Sequence, residues 1–95
     1  MKLETVWQNI VKNEGEKFYT SGKKIEFVYK ATANGIQPMP VNGSKIHIIT
    51  KNTVKDILEN HMPLKNTTPL QKKYRAPSYI FAIMTDKRII DKEDK

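Results

Sequence analysis

Residues 25–41 constrain the fold more than any other stretch, because they read as two strands around one tight turn. Apolar side chains occupy every second position from Ile25 to Ala31, and polar ones dominate between them. Asn34-Gly35 follows, which is the strongest short signal for a β-hairpin. The pattern predicts an antiparallel sheet that is covered on one face and solvated on the other.

Two prolines mark the returning strand, which we place at residues 36–41. Pro38 and Pro40 are two residues apart, so both missing N–H donors lie on the same edge of the strand. We therefore expect an outer strand whose open edge cannot pair. Residues 45–49 would then pair elsewhere, for example beside Phe18–Thr20, or lead directly into a helix.

Helical periodicity appears on both sides of this sheet. Residues 3–11 carry apolar side chains at helical spacing, and Gly15 supplies the stop. Thr50–Thr53 offers N-caps for a second helix, with Asp56 near its start. Ser78 is the expected cap of a last helix, since Pro77 disfavours helix before it.

Together these elements predict an α+β fold with the order α-β-β-β-(β)-α-α. Three to four antiparallel strands form a hairpin meander that packs against about three helices. Residues 1–90 are expected to form a single domain, and residues 91–95 a charged, flexible tail.

Composition excludes several classes of function. The 95-residue chain has no cysteine, so thiol chemistry and disulfides are excluded. No apolar run reaches the ~20 residues of a membrane helix, which favours a cytoplasmic protein. The four glycines are isolated turn residues, so the sequence contains no Gly-rich phosphate-binding loop. His47 and His61 lack convincing partners for a metal site. We therefore expect no enzyme activity, no metal or other cofactor and no small-molecule substrate.

The formal charge of +7 favours nucleic acid or an acidic protein as a partner. Most of this charge lies in residues 17–55 and 65–88. Fifteen of the seventeen basic residues are lysines, whereas arginine is the usual bidentate phosphate ligand. Ordinary solvated lysines, typical of AT-rich coding, are therefore the alternative interpretation.

A basic and aromatic segment after residue 71 is the strongest binding candidate. Cations there can engage phosphates while tyrosines stack on bases. We predict a nucleic-acid or partner site formed by Lys72, Lys73, Tyr74, Arg75 and Tyr79, with a possible extension at Lys23, Lys24 and Lys30. The alternative is that both tyrosines pack on the core while the lysines remain in water. A helix-turn-helix is disfavoured, because the connection between the last two helices is too long.

Two segments, 15–20 (Gly-Glu-Lys-Phe-Tyr-Thr) and 75–80 (Arg-Ala-Pro-Ser-Tyr-Ile), resemble those of short uncharacterised bacterial proteins. With the helix around Trp7, this resemblance covers most of the chain. It implies a free-standing domain and no particular activity.

These features predict a small, basic, non-enzymatic domain that binds nucleic acid through phosphate contacts. The alternative is a protein-interaction or inhibitor module that does not bind nucleic acid. This alternative is supported by the small size of the chain, the absence of a recognisable set of catalytic residues and the long connection before the last helix.

Overall fold

The computed structural model of the chain describes residues 2–90, which fold as an α+β structure. The helices of these residues are α1 (Leu3–Lys12), α2 (Lys51–Asn60), α3 (Thr68–Gln71) and α4 (Pro77–Met84). The strands are β1 (Phe18–Tyr19), β2 (Glu26–Thr32), β3 (Gly35–Pro40) and β4 (Ile49–Thr50). All four strands form one antiparallel sheet in the order β1-β2-β3-β4. The predicted class and element order are confirmed, and the short α3 is an addition. The predicted tail, 91–95, lies outside the described residues.

The sheet has one buried and one solvated face, as the alternation in β2 predicts. Phe27 and Tyr29 are buried, whereas Lys30 on the opposite face is exposed. The Phe27 ring meets the edge of the Tyr79 ring of α4, with 4.9 Å between ring centroids. α1 packs on the same side, because the Tyr29 hydroxyl reaches its backbone. The helices therefore cover the inner face, and the outer face is left to solvent.

The prediction that β3 is an outer strand is wrong. The Val41 N–H donates to the Glu26 oxygen of β2 at 3.0 Å, so the odd-numbered N–H groups of β3 face β2. Pro38 and Pro40 therefore face the other neighbour, β4. That strand pairs with Gly35 and Ile36 only, which precede the prolines. The prolines shorten β4 to two residues instead of excluding it.

Of the two predictions for residues 45–49, the one that they pair elsewhere is wrong, because the prolines leave Gly35 and Ile36 free to pair with β4. The alternative, that the segment leads directly into a helix, agrees with the start of α2 at Lys51. Ile49 lies opposite Ile36 on β3, at the far side of the sheet from Phe18–Tyr19. Beyond the last ladder pair, the Gln37 side chain donates from Nε2 to the Ile46 oxygen at 2.7 Å. A side chain thus continues the connection where a proline cannot donate.

β4 runs directly into α2, and the junction is capped as the sequence predicts. The Thr50 hydroxyl accepts a hydrogen bond from the Thr53 N–H at 3.1 Å. This bond satisfies one of the unpaired N–H groups of the first helical turn. Val54 and Ile57 are fully buried and fix the helix in the core. The start of α2 is consequently held at the β4 edge of the sheet.

The buried Tyr29 hydroxyl ties the sheet to the last turn of α1, where it donates to the Ile10 carbonyl. That carbonyl is an unpaired helix-end acceptor, since the Glu14 N–H bonds Val11 instead. We expect Tyr29→Phe to lower the free energy of unfolding by about 1–3 kcal/mol, because a buried acceptor loses its partner. Urea denaturation measures the effect. Tyr19→Phe, on the exposed outer face, is the matched control. Equal stability of both variants would contradict this role for Tyr29.

Candidate functional site

The predicted binding segment is a short connection between α3 and α4 that is anchored at both ends. Leu70 of α3 is fully buried, and its carbonyl accepts the Tyr74 N–H at 2.8 Å. Ile80 of α4 is buried at the other end. Between them Ala76 adopts a left-handed conformation, with φ 58° and ψ 46°. This conformation is uncommon for a residue with a Cβ and costs about 1 kcal/mol or more. The backbone directly after Arg75 is thus held in a constrained conformation.

Ser78 does not cap α4, so this prediction is wrong. The helix begins at Pro77, and Ala76 occupies the N-cap position without any side-chain bond to the helix. The Ala76 carbonyl accepts the N–H groups of both Tyr79 and Ile80 at 3.1 Å. Proline suits the first helical position because it has no N–H to satisfy. Ser78 therefore lies one residue inside the helix.

Tyr74 is a half-buried anchor whose hydroxyl donates to the Asp56 carboxylate of α2. The same carboxylate accepts from Asn60 Nδ2 at 2.7 Å and Lys73 Nζ at 3.1 Å. The bonds from Tyr74, Asn60 and Lys73 hold the pKa of Asp56 well below its usual range. Burial and the adjacent carboxylate raise the pKa of Tyr74 to about 12. The cluster locks the start of the connection onto α2.

His61 also reaches Asp56, with 3.2 Å between Nε2 and Oδ2. The two residues are five apart in sequence, a spacing that does not place them on one face of a continuous helix. The structure brings them together because α2 ends at Asn60 and His61 takes a non-helical backbone conformation. Within residues 2–90 no three His, Asp or Glu side chains gather as metal ligands.

Arg75 points to the β4 side of the sheet, where its Nη1 donates to His47 Nε2 at 2.9 Å. His47 accepts this bond only when that nitrogen carries no proton. No carboxylate within residues 2–90 forms an ion pair with Arg75. One guanidinium N–H is thus used, and the remaining donors and the positive charge are available.

The second arginine is committed to the fold instead. Arg88 forms an ion pair with Asp86 at 2.9 Å and donates to the Lys17 carbonyl at 2.9 Å. Its guanidinium also lies 4.0 Å from the centroid of the Phe18 ring. Of the two arginines, Arg75 is therefore the one without a carboxylate partner within residues 2–90.

Arg75 and His47 line a cavity of about 230 Å³, which we call the β4-edge pocket. We use rim for the exposed basic residues of its lining, His47, Lys73 and Arg75, and floor for its aliphatic residues, Ile48, Ile49 and Ile80. The lining residues are His47, Ile48, Ile49, Thr53, Lys73, Tyr74, Arg75 and Ile80. A larger cavity of about 470 Å³ lies between β3 and residues 43–46, but Lys45 is the only charged residue of its lining. We place the candidate site in the smaller, basic cavity.

The structure brings together part of the predicted site and separates the rest. Lys73, Tyr74 and Arg75 line the β4-edge pocket, and the exposed Lys72 directly precedes them. Tyr79 is only 8% exposed and packs on Phe27. The alternative that Tyr74 and Tyr79 contact the core therefore fits their positions. Tyr79 does not line the pocket.

The predicted extension lies elsewhere on the molecule. Lys23 and Lys24 belong to the connection from β1 to β2, whereas the β4-edge pocket lies at the opposite edge of the sheet. Lys30 is exposed on the solvated outer face of β2, opposite Gln37. These three lysines contribute to the net charge but not to the lining of the pocket.

Sequence reasoning missed His47, Thr53 and the aliphatic floor. The sequence indicates no binding role for His47, which lies in the irregular connection before β4. It meets Arg75 across 28 residues of sequence. No local pattern announces this contact, because it depends on β4 docking beside β3.

Replacing the Tyr74 hydroxyl tests whether the Asp56 cluster holds the connection. In Tyr74→Phe we expect the pKa of Asp56 to rise, because the hydrogen bond that lowers it most is lost. A depressed carboxyl pKa stabilises the fold above its unfolded value of ~3.9, and this contribution disappears as pH falls through the folded pKa. A raised tyrosine pKa stabilises the fold below its unfolded value of ~10, and this contribution is lost as pH rises towards 12. The stability loss of Tyr74→Phe should therefore be largest near neutral pH.

Urea unfolding at neutral, strongly acidic and strongly alkaline pH, with NMR titration of the Asp56 carboxyl, measures both effects. A stability loss that is the same at all pH values, with an unchanged Asp56 titration, would contradict this role.

Within residues 2–90 no helix combines the length and apolar character that a membrane span requires. Comparison of the chain with models of known families, with curated proteins and with solved structures finds no match. This result agrees with a resemblance to proteins without assigned activity.

Proposed function

We propose that this protein is a non-enzymatic domain that binds nucleic acid through phosphate contacts at the rim of the β4-edge pocket. One observation carries the proposal: Arg75 is held in place by His47 and has no carboxylate partner within residues 2–90. A guanidinium in this state presents its remaining N–H donors to a phosphate in a fixed geometry.

Neighbouring lysines strengthen this rim. Lys73 lines the same pocket, and its side chain is 57% exposed although its ammonium group contacts Asp56. Lys72 is exposed beside it. Only Tyr74 separates the cations Lys72, Lys73 and Arg75 in the sequence. Its hydrogen bond to Asp56 holds the backbone between them in place. Because this backbone is already ordered, the entropic cost of binding a phosphate is lower.

The other lysines supply a general attraction. The net charge of +7 raises the local concentration of a polyanion near the surface. Long-range attraction of this kind is screened within about 8–10 Å at physiological salt. This attraction raises the rate at which nucleic acid encounters the protein, but it does not determine where the nucleic acid binds.

Fluorescence anisotropy with a labelled oligonucleotide, at salt concentrations from about 50 to 200 mM, tests the proposal. Three phosphate contacts predict that log K falls against log salt with a slope of about −2 to −3. No binding tighter than ~100 μM at low salt would contradict the proposal, since nonspecific binding alone reaches that range. A slope near zero in a complex that does form would show that phosphates are not the ligand.

An acidic protein segment is the second candidate, because the Arg75 fork binds carboxylates as well as phosphates. Competition separates the two candidates. Polyglutamate that displaces a labelled oligonucleotide at equal charge concentration would favour the acidic protein. Displacement by unlabelled oligonucleotide alone favours nucleic acid.

A further inference from the structure

The β4-edge pocket contains more than phosphate binding requires. Lys73, Arg75 and His47 at the rim suffice to hold an anion. The floor, however, is formed by Ile48, Ile49 and Ile80. Ile49 and Ile80 belong to the core, but Ile48 is 40% exposed at the cavity. A cavity that is lined by both aliphatic and basic side chains suits a ligand with an apolar face and an attached anion.

The size of the cavity limits this ligand. Its volume of about 230 Å³ lies below the ~300–1,000 Å³ of pockets that bury drug-sized ligands. A single heteroaromatic ring system fits such a space, whereas a whole nucleotide does not. The sugar and phosphate of that nucleotide would remain outside, at the rim.

The walls suit a planar ring with polar edges. The Tyr74 ring is held by its bond to Asp56, and the His47 imidazole by its bond from Arg75. Thr53 adds a hydroxyl that shares a hydrogen bond with Thr50 at 2.9 Å. Aromatic side chains and a hydroxyl are the groups that base stacking and contact with a base edge use.

We infer that the β4-edge pocket takes one unpaired nucleobase while Arg75 and Lys73 hold the adjoining phosphates, so that the preferred ligand is single-stranded nucleic acid. This inference rests on the proposed function and names its ligand class. In a duplex every base is stacked and paired, and entry into the pocket would require unstacking. A single strand offers its bases without that cost.

Three oligonucleotides about twelve nucleotides long test the inference by anisotropy at about 50 mM salt. They are a single strand, a strand of equal length without bases, and the duplex of the first. We expect the single strand to bind about tenfold more tightly than either of the others, which is the usual scale of one stacked base.

Ile48→Ser separates the base contact from the phosphate contact. Ile48 lies in an irregular segment and is partly exposed, so its replacement should leave the fold intact. We expect the preference for the base-bearing strand to fall to about twofold or less, with the affinity for the baseless strand unchanged. Val41→Ser, at an exposed apolar residue outside the pocket lining, is the matched control and should keep the full preference.

The outcomes distinguish this inference from the function on which it rests. Equal affinity for all three ligands would overturn the base pocket while phosphate binding stands. A preference that Ile48→Ser leaves intact would overturn it as well. Absence of binding to any of the three would overturn the proposed function itself.

Discussion

Arg75→Glu is expected to weaken oligonucleotide binding by roughly ten- to hundredfold at about 50 mM salt. The estimate reflects the loss of one charge-assisted contact, worth about 1.5–3 kcal/mol, and the new repulsion from phosphate. Arg75 is exposed and no carboxylate within residues 2–90 pairs with it, so its replacement should not destabilise the fold. Anisotropy titration gives the affinity, and circular dichroism verifies folding.

Lys23→Glu is the matched control for this variant. It makes the same change in net charge at an exposed position near the opposite edge of the sheet. We expect it to weaken binding by about threefold or less, through long-range attraction only. Equal losses in the two variants would show that net charge, not the β4-edge pocket, determines binding.

The largest effect on stability is expected for Gly35→Ala, with a loss of about 2–4 kcal/mol in the free energy of unfolding. Gly35 has φ +154°, and an added Cβ would lie 2.3 Å from the Ile49 oxygen and 2.9 Å from the Thr50 Cα. Both contacts are to backbone, so no side-chain rotation relieves them. Gly35 also pairs with Thr50, and this pair joins β3 to β4. Thr50 is in addition the N-cap of α2.

Gly22→Ala provides the control for the glycine substitution. No atom lies within 4 Å of an added Cβ at this position. Its effect should remain within about 0.5 kcal/mol, as is usual for an unconstrained surface position. Urea denaturation compares the two variants, and a Gly35→Ala protein as stable as Gly22→Ala would show that β3 and β4 need no close approach.

Local patterns predicted the elements well where they depend on neighbouring residues. The alternation around Phe27 and Tyr29 gave β2 its buried face, and Thr50 is the N-cap that the sequence suggested. Pro38 and Pro40 were placed correctly on one edge of β3. The error was to extend that block to Gly35 and Ile36, whose groups remain available to β4.

The candidate site was predictable only in part. Lys73, Tyr74 and Arg75 are consecutive, so composition pointed to them directly. His47 joins them through the tertiary structure alone. Tyr79 illustrates another limit, because a tyrosine beside basic residues can belong to a surface or to the core. The packing of α4 on Phe27 decides for the core.

The most direct test of the central claim is an NMR titration of the ¹⁵N-labelled protein with a single-stranded oligonucleotide. The β4-edge pocket predicts that amide shift changes centre on residues 47–49, on Thr53 and on residues 72–75. A response centred on the connection that carries Lys23 and Lys24, or spread evenly over the exposed lysines, would contradict it. In that case nucleic acid would follow the general positive charge and not the site built around Arg75.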